Sequence, residues 1–118
     1  MALSATSFET AFKYKVIQET ACDESAIVNA ATSAGSIHAI EFVNSSSAAS
    51  FKFFDTDVVT MGSTFADMVF RIPANATTVI DIPEGLPFTC VSFAVTANPN
   101  PIDNTAPAAG VTVRLLVS

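Results

Sequence analysis

Aspartates are the side chains best placed for chemistry: Asp55-Thr56-Asp57, followed by Asp67, sets carboxylates as a calcium loop begins. An EF-hand loop needs Gly at its sixth position and Glu at its twelfth. Counted from Asp55, those positions hold Thr60 and Ala66, so the motif is absent. An Asp-rich turn between strands is the favoured reading, with a weak cation site shared with Asp67 as the alternative.

His38 is the only histidine, which removes multi-His metal sites. Ser and Asp are plentiful enough for a Ser-His-Asp triad, but no nucleophile-elbow motif accompanies them. His38 reads as a strand residue near a sheet end. Cys22 and Cys90 make one bridge at most. Two small buried hydrophobes are favoured over a disulfide. Asn44-Ser45-Ser46 and Asn75-Ala76-Thr77 match the glycosylation acceptor pattern but read as turn residues. No catalytic, metal or cofactor site is expected; a small hydrolase is the least favoured class.

The elements that position these residues are strands. Ile40 and Phe42 share a face opposite Glu41. Asn44-Ser45-Ser46-Ser47 then turns the chain, and Phe51-Lys52-Phe53-Phe54 returns. Met68, Phe70 and Ile72 alternate with Asp67, Val69 and Arg71 up to Pro73. Thr78, Ile80 and Ile82 alternate with Val79 and Asp81 up to Pro83, where the proline is expected to close the strand. Val91, Phe93 and Val95 oppose Ser92, Ala94 and Thr96; Val111, Val113, Leu115 and Val117 oppose Thr112, Arg114 and Leu116. Near the start, Phe8, Phe12, Tyr14 and Val16 fall on one side, with Glu9, Lys13 and Lys15 on the other. Residues 26–32 are a weaker candidate strand. Glu84-Gly85-Leu86-Pro87-Phe88 reads as a tight corner between strands.

Helical periodicity is nearly absent, and about eight strands in one domain predict an all-β antiparallel sandwich of jelly-roll-like form. An N-terminal arm over residues 1–7 precedes a single sandwich over 8–118. The expected core holds Phe12, Phe42, Phe53, Phe70, Ile80, Phe93, Val113 and Leu115.

Charge is scarce: 14% of residues are ionic and 50% apolar, against about 25% charged in an ordinary soluble domain. A surface so poor in charge points to partners that cover part of it. The net charge is −6, and Lys13, Lys15, Lys52, Arg71 and Arg114 are scattered, which argues against a nucleic-acid partner. No secretory signal and no membrane-length apolar run is seen, so the expectation is a soluble chain, intracellular where it is made.

The succession Ile37-His38-Ala39-Ile40-Glu41-Phe42-Val43-Asn44, Phe51-Lys52-Phe53-Phe54-Asp55, Val59-Thr60-Met61-Gly62-Ser63-Thr64 and Ile82-Pro83-Glu84-Gly85-Leu86-Pro87-Phe88 resembles small structural proteins of tailed bacteriophages. The resemblance implies a compact β-sandwich carried on the virion as a capsid decoration or cement protein, often trimeric. Its partners would be the major capsid protein or other virion proteins. It brings no catalytic residues. A tail, neck or fibre-base component is the alternative position, and a carbohydrate-binding module the alternative class; the latter is weakened by the absence of Trp and the single Tyr14.

Partner contact is expected at the arm, Ala2, Leu3, Ser4, Ala5, Thr6 and Ser7. It is also expected in the Pro-rich loop of residues 98–109, at Asn98, Pro99, Asn100, Pro101 and Ile102. A homo-oligomer, with a trimer favoured, is expected because Val69, Val79 and Leu116 are apolar at outward positions.

Overall fold

The computed structural model describes residues 3–7 and 14–118 and shows an all-β sandwich. Its strands are β1 (Leu3–Ser7), β2 (Lys15–Cys22), β3 (Gly35–Asn44), β4 (Ala49–Phe54), β5 (Met68–Ile72), β6 (Ala76–Phe88), β7 (Ser92–Thr96) and β8 (Val111–Val117). One sheet has the order β1-β2-β8-β3-β6 and the other β5-β4-β7, with every neighbouring pair antiparallel.

The pairings nest. Around the loop of residues 55–67, β4 pairs with β5; outside them β3 pairs with β6; then Ile27 bridges Phe93 of β7; outermost, β2 pairs with β8. The chain is thus one long hairpin whose successive pairs fall alternately in the small and the large sheet. Contacts of β8 with β3 and of β4 with β7 close the roll, and this is the jelly-roll arrangement.

Two bends of the hairpin cross between sheets side by side. Asn44, 3% exposed, ties them together: its Nδ2 donates to Ser47 O and to Pro73 O, at 2.9 and 3.0 Å, while its Oδ1 accepts from Ser46 N. Asn75 N donates to Ser46 O, and Asn75 takes the left-handed backbone (φ 50°) that Asn tolerates. Both expected turn asparagines therefore lie at these corners. The Asn44 turn does not return the chain beside β3, as a hairpin would, but carries it into the other sheet.

Alternation places the core between the sheets. Ile37, Ile40 and Phe42 of β3 meet Val111, Val113, Leu115 and Val117 of β8 and the inner side chains of β4 and β7, all buried. Phe51 is the hub, with ring centroids 5.2 Å from Phe42, 5.7 Å from Phe93 and 6.3 Å from Phe70. Such aromatic pairs add about 0.5–1.5 kcal/mol beyond area burial. Of the expected core, Phe42, Phe53, Phe93, Val113 and Leu115 are buried, Phe70 and Ile80 are half-buried on its margin, and Phe12 lies outside the described residues.

Four further sequence expectations are corrected. In β2 the inner face carries Ile17 and Glu19, not Tyr14 and Val16; a register shift between Glu19 and Cys22 then brings Cys22 inward. Phe8 lies outside the described residues. Pro83 does not end β6, which runs on to Phe88: β6 is an edge strand, where a missing N–H can face away from the ladder. Gly85 (φ 80°) lies in the irregular stretch between Ile37↔Leu86 and Ala39↔Asp81, so the expected corner is a bulge within β6. Residues 26–32 form no strand, yet Ile27 N and Ala30 N donate to Phe93 O and Val91 O, and Ile27 O and Asp23 O accept from Phe93 N and Val95 N, which covers the free edge of β7.

Candidate functional site

The side chains best suited to chemistry are engaged in holding loops. Asp55 Oδ1 accepts from Thr89 N and Cys90 N at 2.7 and 3.0 Å, and Asp67 Oδ2 accepts from Asp55 N at 2.7 Å. Both carboxylates thus serve backbone amides around the β4–β5 loop. Among the described residues no three His, Cys, Asp or Glu side chains group as a metal site. His38 Nε2 lies 3.1 Å from Ser118 Oγ, and its ring meets Tyr14 edge-on at 5.2 Å. Cys22 and Cys90 are both free thiols.

The Pro-rich loop is pinned over the outer face of the small sheet. Ser50, Lys52, Phe54, Ser92, Ala94 and Thr96 point away from the core yet are buried. Lys52 sits at their centre, and its Nζ donates to Thr96 Oγ1 at 2.8 Å, Asn100 O at 2.6 Å and Asp103 O at 3.4 Å. Burial holds the Lys52 amine below its ordinary value, with Asp103 pulling the other way. Ala97 N donates to Thr105 O, and Asp103 takes hydrogen bonds from Asn98 and Thr105. Arg71 Nη1 closes the rim by donating to Ser50 Oγ and Ala97 O. Asn98, Pro99, Asn100 and Pro101 remain exposed along this cover, and Ile102 is half-buried.

The expected arm is a strand. Leu3–Ser7 pairs along β2 with Leu3 opposite Glu19 and Ser7 opposite Lys15, forming one edge of the large sheet. Leu3, Ser4 and Ala5 are exposed, and Ala2 lies outside the described residues.

The outer face of the large sheet is open. Register lines up Val16, Leu116, Ala39 and Asp81 in one row, and Gln18, Arg114, Glu41 and Val79 in the next. Arg114 Nε donates to Gln18 Oε1 at 2.6 Å and Arg114 Nη1 pairs with Glu41 Oε1, a charge-compensated rung across three strands. Beside it Val16, Ala39, Val79 and Leu116 border a depression of about 270 Å3 open to solvent. Val79 is 56% exposed and Leu116 half-buried. Val69 does not share this surface: it stands opposite Lys52, on the outer side of the small sheet.

Sequence reasoning missed two features. One is the buried Lys52, signalled by a lone lysine among Phe51, Phe53 and Phe54. The other is the β4–β5 loop, which leaves Val58 and Phe65 71% and 69% exposed.

No family model, characterised protein or solved structure matches the chain.

Proposed function

We propose that the chain is a structural virion component, a decoration or cement protein that binds the outside of a tailed-phage capsid as a homo-oligomer, with three copies favoured. The reading is carried by the open face of the large sheet, where Val16, Ala39, Val79 and Leu116 flank a rung whose charges cancel. A surface of that kind loses little on desolvation and gains from apolar burial when a flat partner covers it. The jelly roll itself is shared by capsid and lectin domains, so the fold alone is an analogy. The resemblance of residues 37–44, 51–55, 59–64 and 82–88 to phage structural proteins supports a place on the virion.

Binding only to the assembled shell would stabilise it by mass action. Particles that carry the protein and particles depleted of it are compared by thermal DNA release; release at lower temperature on depletion is expected. Identical release curves would exclude a cement role. Copy number from mass spectrometry of purified particles separates positions: hundreds of copies place the protein on the head, a dozen or fewer at the tail or neck.

A further inference from the structure

The loop between β4 and β5 carries the two most exposed large apolar side chains among the described residues, Val58 at 71% and Phe65 at 69%. Two ties hold its shape. At the neck Asp67 Oδ2 accepts from Asp55 N at 2.7 Å; nearer the tip Thr60 O accepts from Ser63 N and Thr64 N, and Thr60 N donates to Thr64 Oγ1. Val58 and Phe65 stand on the two limbs between these ties. Each limb is anchored to the body of the protein, Thr56 O by Ser92 Oγ and Ala66 N by Pro101 O. Side chains placed before binding lose little entropy on docking, so the loop is a preformed apolar knob.

Charge decides what can meet it. Residues 55–67 hold three aspartates and no lysine or arginine. Asp55, Asp57 and Asp67 are all exposed, and among the described residues the only ion pair is the one between Arg114 and Glu41. Backbone amides bound by Asp55 and Asp67 leave their negative charge without a cation. An apolar knob ringed by uncompensated carboxylates fits a surface of opposite sign, and such complementarity fixes the choice of partner. Nucleic acid and anionic lipid would repel it. A second copy of this chain has no described cation to offer: Lys15 donates to Ala31 O, Lys52 is buried under the Pro-rich loop, Arg71 holds Ser50 and Ala97, and Arg114 holds Gln18 and Glu41.

We infer that the β4–β5 loop is a contact with the shell, in which Phe65 and Val58 enter an apolar pocket of a capsid protein and Asp57 meets lysine or arginine side chains on the rim of that pocket. The inference rests on the virion reading above and adds the chemistry of the partner. It places the contact on the side of the small sheet and residues 89–101, away from the open face of the large sheet. Apolar anchors of this kind, once buried, dominate interface energetics, and the charges around them set the rate of encounter and its dependence on salt.

Rebinding to depleted particles tests this with the full chain and the variants Phe65→Ser, Asp57→Lys and Asp57→Asn, the bound fraction being read by co-sedimentation at low and high salt. Both positions are exposed, and thermal melts near wild type confirm folding. Phe65→Ser should bind at least about thirtyfold more weakly, as loss of an interface anchor does. Asp57→Lys should lose at least about tenfold at low salt, because it sets like charges against each other. Asp57→Asn should lose less, and added salt should weaken it less than it weakens wild type. Undiminished binding of Phe65→Ser, or tighter binding of Asp57→Lys, would overturn the contact and leave the cement reading standing. A wild type that does not rebind at all would sink the cement reading and the contact with it. Two further measurements settle the other occupants: sedimentation equilibrium of the free chain, and flotation with phosphatidylcholine vesicles. Self-association that Phe65→Ser abolishes would assign the knob to a second copy, and flotation that it abolishes would assign the knob to lipid; either result overturns the inference.

Discussion

Lys52 Nζ donates to the Asn100 carbonyl across 2.6 Å, joining the middle strand of the small sheet to a loop 48 residues away. The ammonium is shielded from water on the side away from the core, and its partners are a hydroxyl and two carbonyls. Such an arrangement makes the loop part of the fold. It also explains how a strand with a lysine in its middle can be buried on both faces.

Replacing Lys52 with Met keeps most of the stem and removes the donors, leaving the Asn100 carbonyl under the loop without its partner. The expected loss is about 1–3 kcal/mol in urea unfolding. Hydrogen exchange should quicken at Ala97 and Asp103, whose amides bond within the loop, while Phe93 amide protection holds locally. A folded pKa below the ordinary 10.5 means that the folded chain holds fewer protons between that lowered value and 10.5. Stability contributed by Lys52 therefore rises with pH across that window, and the rise should vanish in Lys52→Met. An unchanged urea midpoint would show that the loop does not depend on this contact.

Asp103 acts at the acid end. Burial raises its pKa, but hydrogen bonds from the Thr105 hydroxyl and from Asn98 outweigh that and leave it below the ordinary 3.8. A depressed folded value contributes stability above 3.8 that is lost as pH falls through the folded value. Asp103→Asn should be less stable than wild type at neutral pH, and the two should converge in acid. Parallel curves down to the lowest pH at which the chain folds would refute this role.

Two phenylalanines differ sharply in burial. Phe51 is fully buried among Phe42, Phe70 and Phe93, so Phe51→Ala should cost about 3–5 kcal/mol. Phe65 is 69% exposed, and Phe65→Ala should fall within about 0.5 kcal/mol of wild type. Calorimetric melts check both, and a large loss at Phe65 would mean that it packs within its own chain.

Faces were easier to read from this sequence than neighbours. In β8 and over residues 40–44 of β3 buried side chains alternate with outward ones, and period two assigns the faces correctly; between Ile37 and Ala39 a register shift breaks the alternation. In β2 adjacent Val16 and Ile17 are both apolar, and the inner face takes Glu19, so alternation chose the wrong row. Proline misled at Pro83 because its cost depends on whether the strand is central or at an edge, which local sequence does not encode. The turn at Asn44 looked like a hairpin because polarity marks a turn without marking which sheet the chain enters. Burial of Ser50, Lys52 and Thr96 depends on a loop whose own pattern carries no period. The depression beside the Arg114 rung is assembled from β2, β3, β6 and β8, and no single segment announces it.

The two cysteines give a direct test of compartmentation within the fold. Cys22 is fully buried beside Val111 after the β2 register shift, and burial first, then the charges of Glu19 and Asp23, push its thiol far above the ordinary 9.0. Reaction with a disulfide reagent requires both access and thiolate, and Cys22 offers neither in the folded chain. Cys90 is half-buried in the turn before β7, where its amide is held by Asp55. Native protein should therefore titrate one thiol per chain with Ellman's reagent, and protein unfolded in denaturant two. Its raised folded pKa makes Cys22 a stabilising group below 9.0 whose contribution falls as pH climbs beyond that value, opposite in sign to Lys52. Cys22→Ala should flatten that alkaline decline while leaving the single native thiol in place. Two fast thiols in the folded chain would contradict the burial of Cys22, and none in unfolded, unreduced protein would mean that Cys22 and Cys90 are bridged.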